Sequence, residues 1–184
     1  MYFQSSRLIA RRFMVADLAG FMDIRNDPDV ARYQSWESYT LPEAEAFLKD
    51  MDAKQPGDPG WFQFALTASG AFIGDLGFRI LDDPRLAQIG YTIAKPHWGK
   101  GYATEAVKAF LDYAFAAFPL HRITASVDPR NTASCRVLEK AGFRREALFR
   151  ESEWFRGEWA DDAIYALLRA GHTQRAGNTQ TLDT

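Results

Sequence analysis

Two short blocks hold the residues best suited to chemistry. The first is Trp98-Gly99-Lys100-Gly101, set between a strand-like segment and a run with apolar residues at helical spacing. Amides at a helix start have no partner within the helix and carry partial positive charge. Two glycines let a ligand approach that backbone without side-chain obstruction. Strand, glycine loop and helix are therefore a cradle for a phosphate group. The spacing is neither that of a triphosphate-binding loop nor that of the dinucleotide fingerprint. A tight strand-to-helix turn would also account for it. The second block is Asn131-Thr132-Ala133-Ser134, followed by Lys140-Ala141-Gly142-Phe143. Asn is a preferred helix cap and Gly a preferred helix stop, so a short capped helix explains the block without any ligand.

Nucleophiles and metal ligands are scarce. Cys135 has no His near it in sequence and reads as a small packed residue. His97 and His121 read as structural or solvent-facing, and no metal-ligand spacing emerges, so no metal is expected. Alternation along a strand puts Glu151 and Glu153 on the same face.

These residues need a scaffold. Arg7 to Phe13 reads as a first strand, Asp17 as the cap of a short helix to Asn26, and Asn26-Asp27-Pro28-Asp29 as its break. Arg32 to Thr40 is an aromatic, polar loop. Thr40 caps a second helix with apolar positions Ala44, Phe47, Leu48 and Met51. Strands follow at Trp61 to Ala68, Ala71 to Leu81 and Ala87 to Ala94, the first two joined by Ser69-Gly70. Ala103, Ala106, Val107, Phe110, Leu111 and Ala114 mark the long helix, which Pro119 stops. His121 to Val127 is a strand, Asn131 to Gly142 a helix, and Phe143 to Phe155 with Glu158 to Leu168 a hairpin around Arg156-Gly157. The order βααβββαβαββ is α/β (α+β) with a mixed sheet, because one strand-helix-strand unit sits among hairpins. Residues 1–5 resemble the remnant of a cleavable expression tag and are set outside the fold. Residues 6–170 form a single domain, and 171–184 a polar tail without apolar periodicity.

Taken together, the blocks resemble the GCN5-related N-acetyltransferase (GNAT) superfamily, and within it the branch of the ribosomal-protein N-terminal acetyltransferases. The landmarks are Arg7-Leu8-Ile9, Ile73-Gly74-Asp75-Leu76-Gly77, Ile89-Gly90-Tyr91, Trp98 to Ala106, Asn131 to Phe143, and Asp161 with Tyr165. The resemblance runs from about Arg7 to Arg169. It implies a mostly antiparallel seven-stranded sheet flanked by helices, with two strands splayed apart and acetyl-coenzyme A in the opening. On this likeness the backbone of Trp98, Gly99, Lys100, Gly101, Tyr102 and Ala103 would hold the pyrophosphate, and Thr104 would add a hydroxyl. Tyr91, Thr92 and Ile93 would pair with the pantetheine amides, and Asn131 would contact that arm near the sulfur.

The departures from the pattern matter. Pro96 stands where relatives carry Gln or Arg. Gln88 replaces a Glu that helps deprotonate the amine, and Leu138 replaces a Tyr that protonates the leaving thiolate. The ribosomal branch points instead to Ser134 near the sulfur and to Glu153 as proton acceptor. Asp75 and Glu151 are weaker alternatives, and Asp161 braces the hairpin. Trp36, Tyr39, Trp154 and Trp159 are the expected acceptor walls, with Asp75 and Gln88 on the same side.

Magnitudes bear on the acceptor. A thiol of pKa near ~8.5 leaves tolerably as thiolate, so the missing Tyr is survivable. At pH 7 an α-amine of pKa near ~8 is roughly a tenth neutral, whereas a Lys amine of pKa near ~10.4 is less than about a thousandth neutral. A site with few bases is easier to run on an α-amine, which favours a protein or peptide N-terminus. A low-pKa amine on a sugar or small metabolite fits equally well, an acetyltransferase for an antibiotic, polyamine or other small amine is the alternative enzyme, and a non-catalytic coenzyme A-binding module is the reading from another class.

Composition narrows the classes further. Among 184 residues, 47% are hydrophobic and 25% charged, and 14 Phe, 7 Tyr and 5 Trp can fill a sizeable core. A formal charge of −2 argues against a nucleic-acid or anionic-membrane binder, and no apolar run is long enough to span a bilayer. One Cys forms no internal disulfide, which suits a cytoplasmic setting. Oligomeric state is not written in the sequence, and a homodimer is left open.

Overall fold

The computed structural model describes residues 1–173. Its sheet has eight strands: β1 (Phe3–Gln4), β2 (Leu8–Arg11), β3 (Phe62–Ala68), β4 (Ala71–Ile80), β5 (Leu86–Ile93), β6 (Arg122–Val127), β7 (Arg144–Phe155) and β8 (Glu158–Leu168). They lie in the order β1-β2-β3-β4-β5-β6-β8-β7. Only the β5–β6 pair is parallel, so the mixed, mostly antiparallel sheet expected from the sequence is present. The helices are α1 (Leu18–Arg25), α2 (Pro28–Ala31), α3 (Leu41–Ala53), α4 (Tyr102–Ala117) and α5 (Thr132–Ala141).

Three local features differ from the sequence reading. Pro28 does not simply break α1. Asp27 accepts from the amides of Asp29 and Val30 and starts the single turn of α2. The first five residues join the fold: β1 pairs with β2, Phe3 is buried, and its ring packs on Phe64 and Phe110. A two-residue edge strand carries too little pattern to be read in advance, and the gain comes from burying Phe3. At the other end the domain continues past 170. His172 packs against Phe115 and pairs with Asp112, while the rest of the expected tail lies outside the described residues.

Strand parity decides which face each side chain takes. Phe62, Phe64, Leu66, Leu76, Phe78, Ala87, Ile89, Ile93, Ile123, Ala125, Ala163 and Tyr165 form one buried layer with Val107, Phe110 and Leu111 of α4. On the opposite face Ala65 packs with Phe13, Phe21, Ala44 and Met51, under α1 and α3. Helix α3 starts on a reciprocal cap, in which the Thr40 amide donates to Glu43.

Candidate active site

The β5–β6 pairing is short. Leu86, Ala87 and Gln88 align with Arg122, Ile123 and Thr124, and nothing beyond them pairs. Ile89 to Ile93 and Ala125 to Val127 therefore part, with backbone groups turned into the gap. A cavity of about 300 Å³ occupies this opening and reaches both faces of the sheet. Ile89, Tyr91, Asn131, Ser134 and Leu138 line its α4–α5 side. Gln88, Gly90, Ser126 and Asp162 line the other.

Beyond β5 the chain makes a turn of 3-10 helix (Lys95–His97) and then the glycine loop. Gly99 and Gly101 both take left-handed backbone, with φ of 72° and 82°. A side chain at Gly99 would meet no atom, so the loop leaves open space above its backbone. Glu105 makes the first turn bond of α4, its amide donating to the Gly101 carbonyl. The amides of Tyr102, Ala103 and Thr104 precede any helical carbonyl and stay available. The Trp98 indole N–H donates to the Ile93 carbonyl at 2.6 Å and ties the loop to the end of β5.

An acidic side chain in that first turn would repel an anion if left bare. Glu105 is not bare. Ser5 and Ser6 hydroxyls and the Arg7 backbone and guanidinium donate to it. Burial alone would raise its pKa, but these bonds hold it down at about 2. Arg7 also donates to the Lys100 carbonyl and lies over the Tyr102 ring.

Helix α5 begins as the sequence indicates. The Asn131 side-chain oxygen accepts from the Ser134 amide at 3.1 Å, its NH2 group has no hydrogen-bond partner among the described residues, and Gly142 ends the helix at φ 105°. The Tyr91 and Ser134 hydroxyls lie 2.8 Å apart, a contact sequence spacing could not show. Burial pushes the Tyr91 phenol well above its usual pKa, so it stays protonated, and it donates to the Ser134 carbonyl at 3.1 Å. Leu138 is buried at the cavity wall, and the nearby hydroxyls come from Tyr91 and Ser134.

The expected acceptor residues divide. Gln88 lines the cavity with its carbonyl held by Arg79, whose guanidinium lies over Trp61. Glu153 lines it too, exposed at the mouth. The arginines nearby are engaged elsewhere: Arg130 with Asp128 and Glu158, Arg122 with Glu146, and Arg156 with the Ala31 and Trp36 carbonyls. Trp36, Tyr39 and Asp75 are not among the lining residues. Arg25 is buried, with its guanidinium between the Phe21 and Trp36 rings, and it pairs with buried Asp75 at 2.9 Å. Burial pushes the Asp75 carboxyl up, against the pull of Arg25. Tyr39 packs on Phe21 in the same cluster. The two rings thus brace the wall from behind. Trp154 is exposed and meets Trp159 edge-on, away from the cavity lining. Asp161 accepts from the Glu151 amide and so braces the bulge in β7. Among the described residues no group of His, Cys, Asp and Glu has the makings of a metal site.

Comparison with known proteins agrees with this geometry. A family model described as an acetyltransferase (GNAT) domain matches residues 7–144. An N-acetyltransferase called p20 from Bacillus licheniformis is 32% identical over 168 residues, which is 90% of this chain and 94% of that protein. The RimJ structure from Mycobacterium smegmatis, in complex with CoA-disulfide, is 27% identical, covers 93% of this chain and 89% of its own, and superposes with a TM-score of 0.78. The spermidine N-acetyltransferase of Vibrio cholerae, in complex with CoA and spermine, shares the fold at 23% identity and a TM-score of 0.80, covering 92% of this chain and 99% of that one.

Proposed function

The chain belongs to the GNAT acetyltransferase family and is an acetyl-CoA-dependent N-acetyltransferase, and we propose that its acceptor is the α-amine of a protein or peptide N-terminus, attacked directly in a ternary complex. The observation that carries the reading is the β5–β6 gap, open on both faces and continuous through β5 with a positive-φ glycine loop at a helix start. In it the amides from Trp98 to Ala103 take the pyrophosphate, with the Thr104 hydroxyl beside them. The unpaired edge of Tyr91, Thr92 and Ile93 takes the pantetheine amides, and the main chain near Ile93 polarises the thioester carbonyl. Asn131 offers its free NH2 to the arm. The Ser134 hydroxyl, 2.8 Å from that of Tyr91, lies beside the arm and supplies a proton to the departing sulfur. Glu153, at the mouth, carries the amine proton away to solvent through water.

The α-amine is favoured because the wall offers an amide at Gln88 and a hydrocarbon at Leu138, so little on the coenzyme side can strip a strongly basic amine. A polyamine is the second reading, favoured by Asp128, Glu153, Asp161 and Asp162 around the same opening. Thiol release from acetyl-CoA with peptides carrying free N-termini, and separately with spermidine, distinguishes the two. Peptide turnover with a kcat/KM at least tenfold above that for spermidine supports the first reading. The reverse order replaces it. Coenzyme binding without turnover of any amine leaves a binding module.

A further inference from the structure

We infer that Asp162 is the carboxylate that holds the acceptor amine and takes its proton as the new C–N bond forms. The inference rests on the acetyl-transfer reading above. No family landmark falls on Asp162, and strand alternation alone would leave it one of two adjacent acids in an ordinary hairpin.

Asp161 and Asp162 both line the cavity, but they take opposite faces of β8, and Asp161 Oδ1 is occupied by the Glu151 amide. Ala163 and Tyr165 of β8 belong to the layer under α4, and so do Ile123 and Ala125 of β6. Even-numbered positions on both strands therefore face the other way. Ser126 and Asp162 share that face, and the Ser126 hydroxyl donates to Asp162 Oδ1 at 2.6 Å. Asp162 is half-buried and lines the cavity. One carboxylate oxygen is thus fixed by a hydroxyl, and Oδ2 carries no recorded hydrogen bond from the described residues. Across the gap on β5, a side chain at Gly90 would meet no atom within 4 Å, so space remains over the strand where an amine would come in.

The surrounding charges leave Asp162 unneutralised. Just past β6, Asp128 is bound by Arg130, which also binds Glu158. On β5, Gln88 is held by Arg79. On β7, Phe149 stands opposite Asp162, and Glu153 stands opposite Ala160 on the same face, nearer solvent. The lining residues include no Lys or Arg. A half-buried carboxylate with one oxygen anchored and no cation is placed to receive one.

The proton count closes. A neutral amine donates one N–H to Asp162 while its lone pair attacks the thioester carbon. As the C–N bond forms, nitrogen becomes cationic and its proton passes to Asp162. The C–S bond breaks, the thiolate takes the Ser134 proton, and Asp162 returns its proton through Glu153 and solvent, from which Ser134 is restored. Amine and acetyl-CoA give amide and coenzyme A thiol, with no other reagent.

The test uses the full-length protein, with the N-terminal peptide and spermidine as acceptors. Asp162→Asn is expected to lower kcat/KM for the acceptor that is turned over by about 100-fold, the lower end of what a positioned base contributes. Calorimetric coenzyme affinity should stay within twofold. Added formate should restore part of the activity of Asp162→Ala, because a small carboxylate can enter the space left by the side chain. A loss below threefold, or a loss that formate leaves unchanged, overturns the assignment while acetyl transfer by the parent stands. If the parent binds coenzyme but acetylates neither amine, the assignment falls together with the functional reading.

Discussion

At the scale of single residues, the proposed chemistry rests on hydroxyls and carboxylates placed by their neighbours. Tyr91 brings its hydroxyl from β5 to Ser134, which stands one turn before Leu138 on α5. Burial keeps Tyr91 protonated, its hydroxyl donates to the Ser134 carbonyl at 3.1 Å, and the two hydroxyls stand 2.8 Å apart, so a proton is held next to the place proposed for the sulfur. Ser134→Ala should therefore lower kcat by about 10-fold or more with coenzyme affinity nearly unchanged. Steady-state rates beside calorimetry measure this, and an unaltered kcat removes Ser134 from proton transfer. Glu153→Gln should also depress kcat more than coenzyme binding, but less than Asp162→Asn, since Glu153 is exposed at the mouth and would reach the amine only through water.

At the scale of elements, the decisive feature is that β5 is held firmly on one side and released on the other. Its pairing with β4 runs from Ala87 to Ile93, while its pairing with β6 ends at Gln88. Gly74 makes the firm side possible at the end where the thioester would lie. Its φ is 155°, and an added Cβ would fall 2.1 Å from the Thr92 carbonyl oxygen. Backbone cannot retreat as a side-chain tip can. Gly74→Ala should cost about 2 kcal/mol or more and displace Thr92 and Ile93. Denaturant unfolding with coenzyme titration tests this: full stability with intact coenzyme affinity would show that β5 tolerates the shift. The bulge in β7 has a comparable local cause. Glu151 takes left-handed backbone and its amide is satisfied by Asp161, which lets Glu153 come back into register opposite Ala160.

For the whole molecule, the first strand and the central helix are joined by charge. Ser5, Ser6 and Arg7 converge on Glu105 in the first turn of α4, so the N-terminal segment both completes the sheet and quiets an anion beside the glycine loop. The folded-state pKa of Glu105, about 2, lies below its ordinary 4.5. A lowered carboxyl pKa contributes stability that is full above the ordinary value and is lost as pH falls toward the folded one. The difference in melting temperature between the parent and Glu105→Gln should therefore be largest above pH 4.5 and shrink steadily toward pH 2. A difference independent of pH would show that the carboxylate charge is not what the cluster stabilises.

Element order apart from β1 and α2, the glycine loop, the α5 caps and family membership were legible in the amino-acid sequence, because period, capping chemistry and motif spacing are local properties of the chain. The same locality explains what was not legible. Whether Trp36 and Tyr39 face a ligand or brace Arg25, and whether Phe3 belongs to the fold, depends on residues far away in the chain. The choice of Asp162 over its neighbour Asp161 turned on which face of β8 meets Ser126 of β6 across the sheet. Sequence by itself determined which backbone could cradle a phosphate. Only the tertiary structure decided which side chains stand over the gap, since strand register assigns faces and long-range packing assigns partners.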